Sequence, residues 1–128
     1  MANTKIAFLL ILCFFTIVFI QSGLDKVFDK KGNLDYLYSL LGAFFSNSLI
    51  RLAFYCVTVL ELASGLLCAA GLIEPFLKPS SFVGVSGLVA GSLALLILLI
   101  GQRVSKNYEG AKTLAIYFII AVAGIVLS

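Results

Sequence analysis

The chain has 128 residues, of which 62% are hydrophobic and 12% charged, with a net charge of +3 and a mean hydropathy of +1.15. A soluble domain carries about 25% charged residues, so a soluble globular fold is excluded. Histidine is absent and the single methionine is Met1, which removes the usual axial ligands of b- and c-type haem and makes a zinc or copper site a poor fit.

Four apolar runs can be read along the chain: Ile6–Leu24, Leu49–Ile73, Phe82–Gly101 and Ala111–Ser128. Their lengths are about 19, 25, 20 and 18 residues, against roughly 20 needed to cross about 30 Å of hydrocarbon. No period-2 alternation of polar residues accompanies them, as a barrel would require, so the runs are read as helices. The predicted fold is all-α: one membrane domain over residues 1–128, a transmembrane four-helix bundle with a short interfacial helix between helices 1 and 2. The first run follows Lys5 as a secretory signal would, but no small-x-small cleavage site follows Ser22-Gly23, so it is expected to remain as a spanning helix.

After helix 1 comes the polar run Asp25 to Gly32, and Asn33 is then placed to cap a helix with Asp35 in its first turn. Within 33–46, Leu34, Leu37, Tyr38, Leu41, Phe44 and Phe45 recur at three- and four-residue spacing. That pattern predicts a helix lying in the membrane interface, with a cap over the bundle mouth as the alternative. Helix 2 is the longest and is predicted to end at the turn Glu74 to Ser81, where Pro75 and Pro79 oppose a continuing helix. Helix 3 carries Gly84, Gly87, Gly91 and Ala94 on one stripe, a surface that lets a neighbouring helix approach closely. Helix 4 places Thr113, Tyr117, Ala121, Gly124 and Ser128 on one face.

In an even-numbered bundle the first and third connections share one side. With the adjoining helix ends they carry Lys26, Lys30, Lys31, Arg51, Arg103, Lys106 and Lys112, against Lys5 and Lys78 on the other. Lysine and arginine excess marks the cytoplasmic side, so both termini are predicted outside the cytoplasm. The same lysines read as topology signals and lipid contacts, not as a nucleic-acid surface.

Glu61 is the residue that points to chemistry. It lies twelve residues from either end of the second run. An acid at such depth costs roughly 2.5–3.5 kcal/mol on insertion scales, so it is expected to face a bundle interior or cavity. Thr58, Ser64, Gly65 and Cys68 share its helical face, and Thr16, Ser92 and Tyr117 are candidate partners from other helices. Arg51, ten residues earlier, is about 15 Å away along the axis and out of reach of a direct pair. Three roles stay open for the candidate polar site Glu61, Thr58, Ser64 and Tyr117: an interhelical hydrogen bond, a site for a quinone, lipid or other small hydrophobic ligand, or a proton or ion relay. No catalytic residue and no metal ligand is assigned. Cys13 and Cys68 fall at similar depth and could be neighbours, but buried cysteine usually behaves as a small hydrophobe.

The stretch Gly23-Leu24-Asp25-Lys26-Val27-Phe28-Asp29, followed by Leu60-Glu61, Gly65-Leu66-Leu67 and Gly71-Leu72, resembles the DoxX family of small four-helix membrane proteins. That family has a glycine-lysine signature after the first helix and an acid in the second, which fall here on Gly23, Lys26 and Glu61. The resemblance implies a cell-membrane protein linked to redox or oxidative-stress systems, its name deriving from a relative of the membrane subunit of a thiosulfate:quinone oxidoreductase. A related branch performs thiol chemistry with a cysteine pair, and Cys13, Cys56 and Cys68 form no C-x-x-C here. The expectation is a small subunit or accessory of a larger, quinone-linked membrane complex, with other membrane subunits as partners. The alternatives are a stand-alone enzyme or carrier for a small hydrophobic substrate, and a structural assembly factor using the glycine stripe Gly84, Gly87 and Gly91.

Overall fold

The computed structural model describes residues 2–128. Five helices follow one another: α1 (Ala2–Phe28), α2 (Lys30–Leu41), α3 (Asn47–Leu77), α4 (Phe82–Val104) and α5 (Tyr108–Leu127). No strand occurs among the described residues. Four of the helices, all but α2, are long and apolar enough to cross a membrane. They close into a ring in which α3 packs on α1 and α4, α4 on α5, and α5 back on α1.

Lipid tails are as apolar as leucine, so helices in a bilayer associate through close packing and hydrogen bonds. The glycines supply the close packing. A Cβ built on Gly71 would lie 2.6 Å from the Cα of Gly84, so α3 and α4 touch backbone to backbone there. The stripe on α4 is turned inward along its whole length. Gly84 faces Phe8 and Leu12 of α1, Gly87 faces Leu67 and Cys68 of α3, and Gly91 faces Phe19 and Ser64. Between α1 and α3 the fit is reciprocal: Leu62 fills the notch at Gly23, and Ile20 fills the notch at Gly65. Phe8, Leu12, Phe15 and Phe19 of α1 build the core with Cys68, Leu88, Leu95 and Ala121, and the Phe15 and Phe19 rings stack with centroids 5.2 Å apart.

Several boundaries differ from the sequence expectation. Helix 1 does not stop at Leu24: the turn Asp25 to Phe28 stays helical, carrying Lys26 on the same rod as the core phenylalanines. A single non-helical residue, Asp29 (φ −119°, ψ 50°), separates α1 from α2. Asn33 therefore does not cap α2 but sits in its first turn, where its amide donates to the carbonyl oxygens of Asp29 (2.8 Å) and Asp25 (3.4 Å) and stitches the break. The second helix ends at Leu41, and Ser46 caps α3 by accepting from the amide of Leu49 at 3.2 Å. At its far end α3 continues to Leu77 with Pro75 inside its last turn. Glu74, read from sequence as part of a turn, is a buried residue whose Oε1 accepts from the backbone N–H of Val83 at 3.1 Å. It thereby satisfies an amide at the start of α4 that has no partner within that helix. The α4–α5 turn carries Lys106 at φ 62°, followed by an Asn107 N–H to Gln102 carbonyl bond of 2.9 Å that closes the end of α4.

Candidate functional site

Glu61 is only 2% exposed and points into the bundle. Its partner is Lys26, whose Nζ lies 2.8 Å from Glu61 Oε1 and whose side chain is 15% exposed. The same ammonium donates a hydrogen bond to Ser22 Oγ at 2.8 Å, one turn earlier on α1. The contact with Glu61 is electrostatic, because Oε1 receives no hydrogen bond of good direction. The packing explains the encounter: Leu62 seated against Gly23 brings its neighbour Glu61 beside the Ser22–Lys26 turn.

Lys26 lines a mostly apolar cavity of about 260 Å³, and Glu61 stands behind it. α2 contributes Leu37 and Leu40 to its lining, α3 Ala53 and Val57, and α4 Leu98 and Gly101. Among the described residues lining it, Lys26 alone carries a charge. The α3 lining ends at Val57, one turn before Glu61, so the ion pair stands at the inner end of the cavity. Two further contacts tie α2 across to α3. The Nε of Arg51 donates to Tyr38 Oη at 3.2 Å, and Lys30 Nζ sits 4.8 Å from the centroid of the Tyr55 ring.

The other residues singled out from sequence go elsewhere. Thr58 donates to the Phe54 carbonyl of its own helix at 2.7 Å, and Ser64 donates to the Gly87 carbonyl of α4 at 2.6 Å. Ser64 is thus an α3–α4 fastener and not a ligand of Glu61. Thr16 and Ser92 bond back to Leu12 and Leu88 within their own helices. Tyr117 on α5 turns its ring to Phe14 of α1, with centroids 5.7 Å apart, and no polar contact joins it to Glu61. Cys68 is fully buried while Cys13 is exposed, and both are free, so the two do not form a pair.

Sequence reasoning named Lys26 through the family signature but not as the partner of Glu61. Ser22 was named only as part of the end of the first run, with no role in the site. The signal available was the i, i+4 spacing of Ser22 and Lys26, which becomes one helical face once α1 is allowed to run past Leu24. Compared with protein-family models, curated proteins and solved structures, the chain matches none of them.

Proposed function

We propose that this is a multi-pass membrane protein of the DoxX type, in the cell (inner) membrane, that binds a small hydrophobic molecule with one polar end in the cavity beneath α2. The observation that carries this reading is the Lys26–Glu61 pair at the inner end of a mostly apolar cavity, whose other polar lining residues are Tyr36 and Gln102. At about 260 Å³ the space is smaller than the roughly 300–1,000 Å³ of sites for drug-sized ligands, so the occupant is a single ring or a short chain. An ammonium has three N–H donors. One goes to Ser22 and at most one more to Glu61, which leaves a donor for a carbonyl or hydroxyl oxygen of the guest. A quinone head group meets both conditions. In this reading α2 lies at the membrane interface with Lys30 and Lys31 toward the head groups, and the lysine and arginine excess of the connections favours both termini outside the cytoplasm.

In this reading the chain works as a small subunit or accessory of a larger quinone-linked complex, as the resemblance implies. Of the four spanning helices, α5 is the least covered within the chain, with only 17% of its most apolar window buried. A stand-alone carrier would use the same site, and co-purification from gently solubilised membranes distinguishes the two. The binding test uses tyrosine fluorescence, since the chain has five tyrosines and no tryptophan and Tyr36 lines the cavity. A short-chain benzoquinone titrated into the protein in nanodiscs should quench it saturably. Lys26→Met and Ala53→Phe should each weaken that quenching by about tenfold, the effect of losing a hydrogen bond to a charged donor or of filling the space. Quenching that rises linearly and identically in all three proteins would reflect partition into lipid and would end the proposal.

A further inference from the structure

We infer that Glu61 is the specificity-determining residue of the cavity: by cancelling the charge of Lys26 it makes the site accept amphiphiles with a neutral head and reject anionic ones. The inference rests on the proposed ligand site and adds a charge rule to it. Lys26 taken alone would make the cavity an anion trap, since a lone ammonium in an apolar wall favours any carboxylate, sulfonate or phosphate. It is not alone, because Glu61 Oε1 stands 2.8 Å from its nitrogen. Whichever of the two atoms holds the proton, the pair sums to zero charge. An anionic head at the inner end would sit beside the buried carboxyl group and add one uncompensated charge to a low-dielectric site. A carbonyl or hydroxyl oxygen takes the remaining ammonium donor without that penalty. Arg51 does not alter the balance at the inner end, because it lies on α3 ten residues before Glu61, exposed and bonded to Tyr38.

The test uses two photoreactive probes with the same alkyl chain, one ending in an alcohol and one in a permanently charged sulfonate. The diazirine is placed next to the head, so the labelled residue reports where the head rests. With the full chain in nanodiscs, the alcohol should label Val57 and Lys26 at the inner end, and the sulfonate should label them at least about tenfold less. A head left at the outer part of the cavity labels Leu49 or Tyr36 instead. Glu61→Gln leaves the ammonium uncompensated and should raise sulfonate labelling at Val57 about tenfold. If that variant does not fold, Lys26→Gln carries the test in reverse, with a gain of labelling by a quaternary-ammonium probe of the same chain. Equal labelling of Val57 by alcohol and sulfonate in the unmodified protein, or no gain of the complementary probe in the folded variant, overturns the charge rule while leaving the cavity a site. Absence of all probes from the cavity residues removes the site itself.

Discussion

Lys26 and Glu61 depend on each other more than on anything else near them. A buried pair can be close to neutral in net stability, yet removing one partner strands the other charge at a cost of about 3–5 kcal/mol. Lys26→Met is therefore expected to destabilise the bundle by about that amount, reduced somewhat by the residual exposure of the ammonium. The double change Lys26→Met with Glu61→Gln should recover most of the loss. A double-mutant cycle in reversible unfolding from micelles reads the coupling, and strictly additive losses would show that the two groups do not interact. Glu61 itself was legible from sequence because a lone acid deep in an apolar run has few places to go. Its partner was not, because hydropathy ends the first run at Leu24 and cannot tell a polar loop from a polar helical turn. Glu74 escaped for the mirror reason: it stands next to Pro75, which reads as a turn, while its carboxylate is held at the N–H of Val83.

Helix–helix distances in this molecule are set by glycines, and the register of the site follows from them. Gly23 meets Leu62 so closely that a Cβ would fall 2.5 Å from Leu62 Cδ2. Gly23→Val should push α1 from α3, loosen the Lys26–Glu61 contact and lower thermal stability along with any binding. Gly84→Val should drive α4 away from Leu12 and Phe8 of α1, with a loss of about 2 kcal/mol or more from overpacking, followed by thermal melting in detergent. Gly101 is the matched control. There a Cβ would meet only Leu41 Cδ1 at an ordinary 3.6 Å, so Gly101→Ala should keep full stability while narrowing the cavity. A loss of stability at Gly101 equal to that at Gly84 would refute this account of the packing. The small-residue pattern announced close approach in the sequence, but one stripe cannot say which neighbour meets it. Side-chain knobs such as Leu62 and Ile20 become visible only when two helices are set in register.

At the scale of the whole molecule, helix number follows from length and composition alone, because a bilayer demands roughly 20 apolar residues per crossing and the chain supplies four such segments. The three- and four-residue spacing within 33–46 announced a further helix, but not its bounds, Lys30–Leu41, or its relation to the first. α2 follows α1 after the single break at Asp29 and lines a cavity with α3 and α4, an arrangement fixed by tertiary contacts and not by local preference. The charge asymmetry of the connections predicts a cysteine-labelling pattern in cells: Ser128→Cys should react with an impermeant maleimide from outside, and Lys106→Cys only after the membrane is opened. The opposite pattern would invert the topology without touching the bundle. The most direct measurement on the central claim is nitrogen–carbon recoupling by solid-state NMR on the protein in bilayers. A cross-peak should join the Lys26 ammonium to the Glu61 carboxyl carbon, vanish in Glu61→Ala, and shift when a neutral alkyl alcohol is added. A Lys26 ammonium with no carboxyl carbon near it, or one that no neutral guest perturbs, would contradict it.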